Sequence, residues 1–112
     1  MKKRTLASRM DKRVILQSPQ ETVDTGGGYS VTWQEVATLW AHMEVLGRGR
    51  EAWQDAQLQD RQLFRFTLRY RDGVTTKQRL VYDSRTFNIR AVVNPDERGE
   101  MLELVAEEGV AV

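Results

Sequence analysis

The chain has no cysteine and one histidine, His42, among its 112 residues. The absence of cysteine excludes disulfide scaffolds, zinc ribbons, thiolate nucleophiles and iron–sulfur sites. A single histidine removes most metal sites and most catalytic triads. No apolar run approaches the roughly 20 residues that a membrane-spanning helix needs. We therefore expect no metal, no cofactor and no membrane partner.

Neither sign of charge is in excess, since 17 Lys and Arg residues stand against 16 Asp and Glu residues. A dedicated nucleic-acid-binding domain is usually much more basic. The content of 40% hydrophobic and 29% charged residues is typical of one soluble globular domain. Because no apolar segment follows the basic start at Met1, we expect a small intracellular domain without a signal peptide.

Residues 1–13 are predicted to form a basic N-terminal arm. Asp11 is the only acidic residue among their Lys and Arg residues. The apolar residues Leu6, Ala7 and Met10 are too few for a core segment. A solvated terminus explains this composition. The alternative is contact with an acidic partner surface or with DNA phosphates.

A run of three glycines, Gly26 to Gly28, lies in a polar stretch from Glu21 to Ser30. Because ordering successive glycines is entropically costly, this stretch is predicted to be a mobile loop or a hairpin tip. It lacks the spacing of a phosphate-binding loop. The β-rich run that begins at Val14 is predicted to end, or to become an edge strand, at Pro19.

Alternating apolar residues from Tyr29 to Val45 predict two strands with an irregular break near Glu35, and a helix over this stretch is the alternative. Good helix formers between Arg50 and Asp60 predict one helix, with Trp53 as a core or interface anchor.

Further alternation, separated by turn residues, predicts four more strands. Leu102 and Leu104 are the expected core pair of the last one. We expect a mainly β fold: a small antiparallel β-barrel over residues 14–108 with one α-helix, a mobile glycine-rich loop and a short tail at 109–112. The strand segments are Phe64–Tyr70, Leu80–Tyr82, Phe87–Val93 (with Phe87, Ile89, Ala91 and Val93 on one face) and Met101–Ala106, and the turns are Asp72-Gly73, Asp83-Ser84 and Asn94-Pro95-Asp96.

No set of residues has the pattern of a catalytic site. His42 and Glu44 could form a base and an orienting carboxylate on one strand face, but a surface or interface histidine is the preferred interpretation. Glu107 and Glu108 near the C-terminus are interpreted as solvated tail charges. We expect no catalytic residue and no enzyme activity.

The strand that carries Phe64 and Phe66 has a basic opposite face formed by Arg65, Arg69 and Arg71. This face is interpreted as solvated and paired with acids, as an interface with acidic subunits, or as a surface toward a DNA channel. The aromatic residues belong to the other, core-facing side, which weakens a role in stacking on single-stranded bases.

Four segments form a pattern through their order and spacing: Asp11-Lys12-Arg13-Val14-Ile15-Leu16-Gln17; Trp33 with Val36-Ala37-Thr38-Leu39-Trp40-Ala41; Gly49-Arg50-Glu51; and the run from Arg69-Tyr70-Arg71 to Asn94-Pro95-Asp96-Glu97-Arg98. In this pattern, from about Asp11 to Glu108, the chain resembles the phage head–tail joining family, whose members are called head-completion, stopper or head–tail adaptor proteins. Many relatives carry a cysteine at the position of Ala106, a structural difference.

The resemblance implies a homo-oligomeric ring of six or twelve copies in the neck of a virion, assembled in the bacterial cytoplasm. Such a ring closes the DNA-filled head and docks the tail. Its partners would be a portal or adaptor ring on the head side, tail terminator or tail tube proteins on the tail side, and double-stranded DNA bound non-specifically in the channel. The particle would be a phage, a prophage or a gene transfer agent.

The resemblance also assigns expected roles to three sets of residues. A channel gate would be formed by Glu21, Thr22, Val23, Asp24, Thr25, Gly26, Gly27, Gly28 and Tyr29. Subunit or partner interfaces are expected at Arg65, Arg69, Arg71, Trp40 and Trp53, and a docking arm for the neighbouring ring at Lys2, Lys3, Arg4 and Arg9. The alternative from another class is a free-standing small-barrel nucleic-acid-binding domain. Whether the chain is the stopper or the portal-proximal adaptor, and whether the loop closes the channel fully, stay open.

Overall fold

Six segments of the computed structural model, which describes residues 9–46 and 62–109, form antiparallel strands. The strands pair in the order β1-β2-β3-β6-β5-β4, and β4 pairs back with β1, so the sheet closes into a barrel. The expected mainly β, antiparallel class is confirmed, whereas the helix predicted between Arg50 and Asp60 lies outside the described residues. The strands are β1 (Lys12–Val23), β2 (Tyr29–Leu46), β3 (Leu63–Arg69), β4 (Arg79–Tyr82), β5 (Arg85–Val93) and β6 (Met101–Gly109), with a 3-10 turn at Pro95–Glu97 before β6.

The interior of the closed sheet is filled by alternate residues from all six strands. Phe87 is central, because its ring packs edge-on against Phe64 at 5.1 Å and against Phe66 at 5.0 Å between centroids. The predicted core pair of the last strand is confirmed. The buried cluster consists of Val14, Leu16, Ala41, Phe64, Phe66, Leu68, Leu80, Phe87, Ile89, Leu102, Leu104 and Ala106.

A β-bulge interrupts the pairing of β1 with β2. Leu16 lies opposite Ala37 while Gln17 lies opposite Glu35, so Val36 is an extra residue on β2. The predicted irregularity near Glu35 corresponds to this bulge. The prediction of two separate strands is wrong, because β2 stays hydrogen-bonded on both sides of the bulge and continues as one strand.

A second register shift, in β5, changes which side chains face the core. Ile89 pairs with Ala106 and the next paired residue is Ala91, so Arg90 is extra. Beyond this point Val92 packs against the core and Val93 is 46% exposed. The prediction that Val93 shares a face with Ile89 is therefore wrong, because one inserted residue reverses the alternation.

The predicted turns are confirmed. Asp83 and Ser84 join β4 to β5 with φ of 52° and 62°, the backbone of a two-residue turn that matches the twist of a hairpin. Gly73, after Asp72, has a φ of 85° that favours glycine. Within residues 9–46 and 62–109, no helix is long and apolar enough to cross a bilayer.

Of the two effects predicted for Pro19, the edge strand is confirmed, while the end of the strand is not, because β1 continues to Val23. Pro19 pairs with Trp33 in the middle of a long hairpin. On its other side β1 pairs with β4 only from Ile15 to Gln17, so the missing N–H of Pro19 lies on an open edge. The ribbon from Ser18 to Gln34 therefore continues beyond the closed sheet. It is called the arm below and is distinct from the N-terminal arm of residues 1–13.

Candidate functional site

The arm is a two-stranded ribbon that projects from one end of the closed sheet. From Ser18 onward β1 has only β2 as a neighbour, and β2 pairs with β3 only from Ala41 onward. The six residues from Ser18 to Val23 extend the ribbon by about 20 Å at the usual rise of about 3.4 Å per residue. The protein accordingly measures 62 Å along its longest axis and 35 Å and 27 Å across.

The two faces of the arm differ in chemistry. Directly paired residues share a face and successive residues alternate between faces. Val23, Tyr29 and Val31 on the apolar face are 70%, 74% and 54% exposed, so no described residue covers them. By the pairing, the apolar face carries Pro19, Glu21, Val23, Tyr29, Val31 and Trp33, and the polar face carries Ser18, Gln20, Thr22, Ser30, Thr32 and Gln34.

Cross-strand hydrogen bonds tie the polar face together. The hydroxyl oxygens of Thr22 and Ser30 lie 2.8 Å apart, and the Thr32 hydroxyl donates to the Gln20 carbonyl oxygen at 3.3 Å. Glu21 and Asp24 are the only charged residues from 18 to 34, so the arm contains no cation. The polar face therefore offers hydroxyl and amide groups but nothing to neutralise a phosphate.

The arm ends in a short turn organised by Asp24. Its Oδ1 accepts hydrogen bonds from the backbone N–H groups of Gly26 at 2.8 Å and Gly28 at 3.1 Å. Gly27 has a φ of 82°, which a residue with a Cβ rarely adopts. The predicted loop is thus a hairpin tip of residues 24–28, and the flanking predicted positions, 21–23 and 29–30, are in strands.

The base of the arm is fixed by an arginine that the sequence did not single out. The Arg79 guanidinium lies 4.0 Å from the centre of the Trp33 ring, and its Nε donates to Gln17 Oε1 at 2.7 Å. Partial burial lowers the pKa of Arg79, yet the group stays cationic at neutral pH. No spacing signal could have found this contact, because Trp33 and Arg79 are brought together by the pairing of β1 with both β2 and β4.

A groove lies where β2 and β3 separate. It has a volume of about 520 Å³ and brings together two predicted interface residues, Trp40 and Arg69. The Arg13 guanidinium lies 5.9 Å from the centre of the exposed Trp40 ring. Met10, only 8% exposed, lies in its wall, so one residue of the predicted N-terminal arm is buried against the closed sheet. The lining residues are Met10, Thr38, Leu39, Trp40, Leu68 and Arg69.

The other predicted interface residues are separated from this groove. Arg65 is half-exposed and makes ion pairs with Glu44 at 3.7 Å and Glu103 at 3.8 Å. Arg71 lies beyond β3, beside the Asp72-Gly73 turn. The three arginines of the predicted basic strand face therefore have different surroundings: Arg65 is paired with acids, Arg69 lines the groove and Arg71 lies beside a turn. Trp53, Lys2, Lys3 and Arg4 lie outside the described residues, and Arg9 is exposed.

The side chains of His42 and Glu44 lie close together at the surface. His42 Nε2 is 4.0 Å from Glu44 Oε1, and both side chains are partly exposed. His42 Nδ1 lies 3.2 Å from the Arg9 carbonyl oxygen, which can only accept a hydrogen bond. Glu44 also contacts Arg65. No third group completes a base and its substrate site among the described residues.

The two glutamates interpreted as solvated tail charges have structural partners instead. Glu108 accepts two hydrogen bonds from Arg85, at 2.9 and 3.0 Å, which lower the pKa of its carboxyl group. Glu107 accepts a hydrogen bond from Arg90 at 3.1 Å. That interpretation is wrong because β6 continues to Gly109 and holds both residues beside β5. In the described part of the chain, no three acidic or histidine side chains are grouped as metal ligands.

Comparison with known proteins identifies the family. The sequence profile of the phage head completion proteins matches residues 6–109. The chain belongs to this family. The resemblance of its strand and turn segments is thereby confirmed over almost the whole chain, from before β1 to the end of β6.

Two solved structures have the same fold as this family member. The solution structure of protein SF1141 from Shigella flexneri 2a is 24% identical, with a TM-score of 0.71 over 93% of this chain and 96% of that one. A chain from the virion of a native gene transfer agent particle is 23% identical, with a TM-score of 0.65 over 90% of this chain and 96% of that one. No curated protein sequence matches the chain significantly.

Proposed function

We propose that the chain is a structural, non-enzymatic protein that forms a ring at the head–tail interface of a tailed phage or a gene transfer agent. The ring closes the DNA-filled head after packaging and carries the surface on which the tail docks. Membership of the head completion family supports this proposal. The observation that carries it furthest is the projecting arm, whose exposed apolar face needs an assembled partner.

The hairpin tip is proposed as the moving part of a DNA gate. The positions predicted for it, Glu21 to Tyr29, form the outer half of the arm, and the turn at residues 24–28 is its end. Glycine at this end lets the turn change conformation while the hydrogen-bonded strands behind it keep their register. Because the arm lacks cations, the gate would obstruct DNA sterically rather than bind its phosphates.

Residues 1–13 are proposed to dock onto the portal or adaptor ring on the head side, with tail terminator or tail tube proteins on the other side. Arg9 is exposed while the adjoining Met10 is fixed against the closed sheet. This arrangement holds the C-terminal part of residues 1–13 beside the groove. An acidic surface is the expected partner of its cations.

Two observations weaken the alternative of a nucleic-acid-binding barrel. Arg65 is paired with two glutamates, so the basic strand face is partly neutralised. The largest exposed apolar residues of the arm lie beside Glu21, a carboxylate that would repel phosphate.

The decisive experiment is deletion of the gene in its producing strain, followed by electron microscopy of the particles. We expect full or leaking heads without tails, and free tails beside them. Complementation with the intact gene should restore tailed particles. Normal tailed particles from the deletion strain would refute the connector function and favour the nucleic-acid-binding alternative, whose affinity for DNA should fall steeply with salt.

The gate is tested separately by replacing Gly26, Gly27 and Gly28 with alanine. Alanine at the positive φ of Gly27 should change the turn while the closed sheet stays folded, so complemented particles should retain a different amount of DNA. Gly73→Ala is the matched control, because Gly73 also has a positive φ and open space around it but lies in another turn. Unchanged DNA retention would refute the gate.

A further inference from the structure

We propose that the apolar face of the arm of one copy docks into the Met10–Arg69 groove of the next copy. This inference names the contact surfaces of the proposed ring and rests on that ring. It assigns the groove one occupant, the arm of a second copy of this chain.

The first argument is the match of apolar surfaces. Val23, Tyr29 and Val31 are exposed on one face of a ribbon that has no other strand beside it. A two-stranded hairpin is only marginally stable in water without a packing partner. The apolar lining of the groove consists of exposed Trp40 and half-buried Leu39 above nearly buried Met10 and Leu68.

The second argument is charge. Glu21 lies on the apolar face between Pro19 and Val23 and opposite Val31, and within the described residues it makes no ion pair. A carboxylate that becomes buried in an apolar contact needs a cation. The arm contains none. Arg69 at the rim of the groove is exposed and, over the same described ranges, has no ion-pair partner.

The third argument excludes docking of the arm into its own groove. Val31 on the arm and Thr38 in the groove wall belong to one continuous strand, β2. Because Val36 is an extra residue at the bulge, six regular strand steps separate their Cα atoms by about 20 Å at about 3.4 Å per residue. The arm would have to break β2 to fold back, so the occupant must come from another copy.

Contact between two different surfaces of identical chains repeats from copy to copy. Such a heterologous contact produces a ring when its rotation closes. Docking by the apolar face leaves the polar face of the arm uncovered. Its hydroxyl and amide groups would then face the channel, and the tip at residues 24–28 would stay free to act as the proposed gate.

Cross-linking in assembled particles tests the contact. The chain has no cysteine, so the double variant Val31→Cys with Thr38→Cys carries the only two thiols, and a short bismaleimide cannot join them within one chain. We expect linked dimers and higher multiples. The matched control is Thr32→Cys with Thr38→Cys, which moves the first thiol to the polar face and should link severalfold less. All three replaced residues are exposed.

The outcomes separate the inference from the function on which it rests. Particles that contain the variant and assemble normally, but link no copies or link the control equally well, would overturn the docking and leave the ring intact. Links only between this chain and another virion protein would also overturn it. Absence of the unmodified chain from particles would refute the proposed function itself.

Charge exchange provides a second measurement. Glu21→Arg should place two cations together at the contact and lower the yield of tailed particles by about tenfold. Adding Arg69→Glu should restore the yield to within about threefold, since the two changes act on one contact. Arg71→Glu is the matched control and should not restore it. A double variant no better than its worse single variant would contradict the pairing of Glu21 with Arg69.

Discussion

Replacement of Phe87 by alanine should remove much of the stability of the closed sheet. Phe87 is 0% exposed and packs edge-on against Phe64 and Phe66. Truncation of a buried phenylalanine costs about 3–5 kcal/mol through lost burial and the cavity that remains. Since the free energy of unfolding of a small domain is only about 5–15 kcal/mol, this loss is a large part of the total stability.

Phe87→Leu separates the aromatic contribution from the cavity. Leucine fills most of the space but loses both ring contacts, each worth about 0.5–1.5 kcal/mol. We expect a loss of roughly 1–2 kcal/mol for this variant, between the alanine variant and the unmodified protein.

Urea unfolding followed by tryptophan fluorescence measures these differences if the transitions are cooperative and their slopes agree. Val31→Ala on the exposed arm is the control and should change the free energy of unfolding by less than about 0.5 kcal/mol. A loss below about 1 kcal/mol for Phe87→Ala would refute the assignment of this cluster as the main core, as would a similar loss for the control.

Three further predictions concern the edges of the fold. Hydrogen bonds from Arg85 lower the pKa of Glu108, so the stability contributed by this pair is present above the ordinary glutamate pKa and is lost as the pH falls through the lowered value. In pH-dependent unfolding, Glu108→Gln should reduce this loss of stability at acid pH. The control Glu100→Gln should leave it unchanged. Ser84→Gly should raise the free energy of unfolding by about 0.5–1 kcal/mol, because glycine adopts the φ of 62° without strain; a lower melting temperature would contradict this. Removal of residues 1–8, which keeps Met10, should leave the melting temperature unchanged and weaken docking to the neighbouring ring; normal assembly of the truncated chain would show that these residues are a solvated tail.

The alternation of apolar residues predicted much of the core, because one side of each strand is buried. Phe64, Phe66, Leu102 and Leu104 all face the interior as expected. The turns were equally predictable, since Asp-Gly and Asn-Pro pairs have strong backbone preferences.

Alternation failed where one residue is inserted. The break near Glu35 was predicted, but only the register with β1 identifies Val36 as the extra residue, and Arg90 has no sequence signature of a bulge. The sequence left two effects of Pro19 open for a related reason. The effect of this proline depends on whether its side of β1 has a neighbour, and the strand order alone decides that.

The candidate site was predicted in part. Trp40 and Arg69 were chosen separately as interface residues, but only the separation of β2 from β3 places them in one groove. The ion pairs of Arg85 and Arg90 join residues far apart in the sequence, so their glutamates looked like solvated tail charges.

The shared strands of the arm and the closed sheet restrict how the length of the arm can change in related chains. Adding one residue to each strand at the base of the arm would lengthen it by about 3.4 Å but exchange its apolar and polar faces. Two residues per strand are needed there to keep Val31 and its neighbours on their present side. Lengths changed at the base should therefore differ in increments of about 7 Å, with insertions and deletions of four residues in total between the closed sheet and Val31.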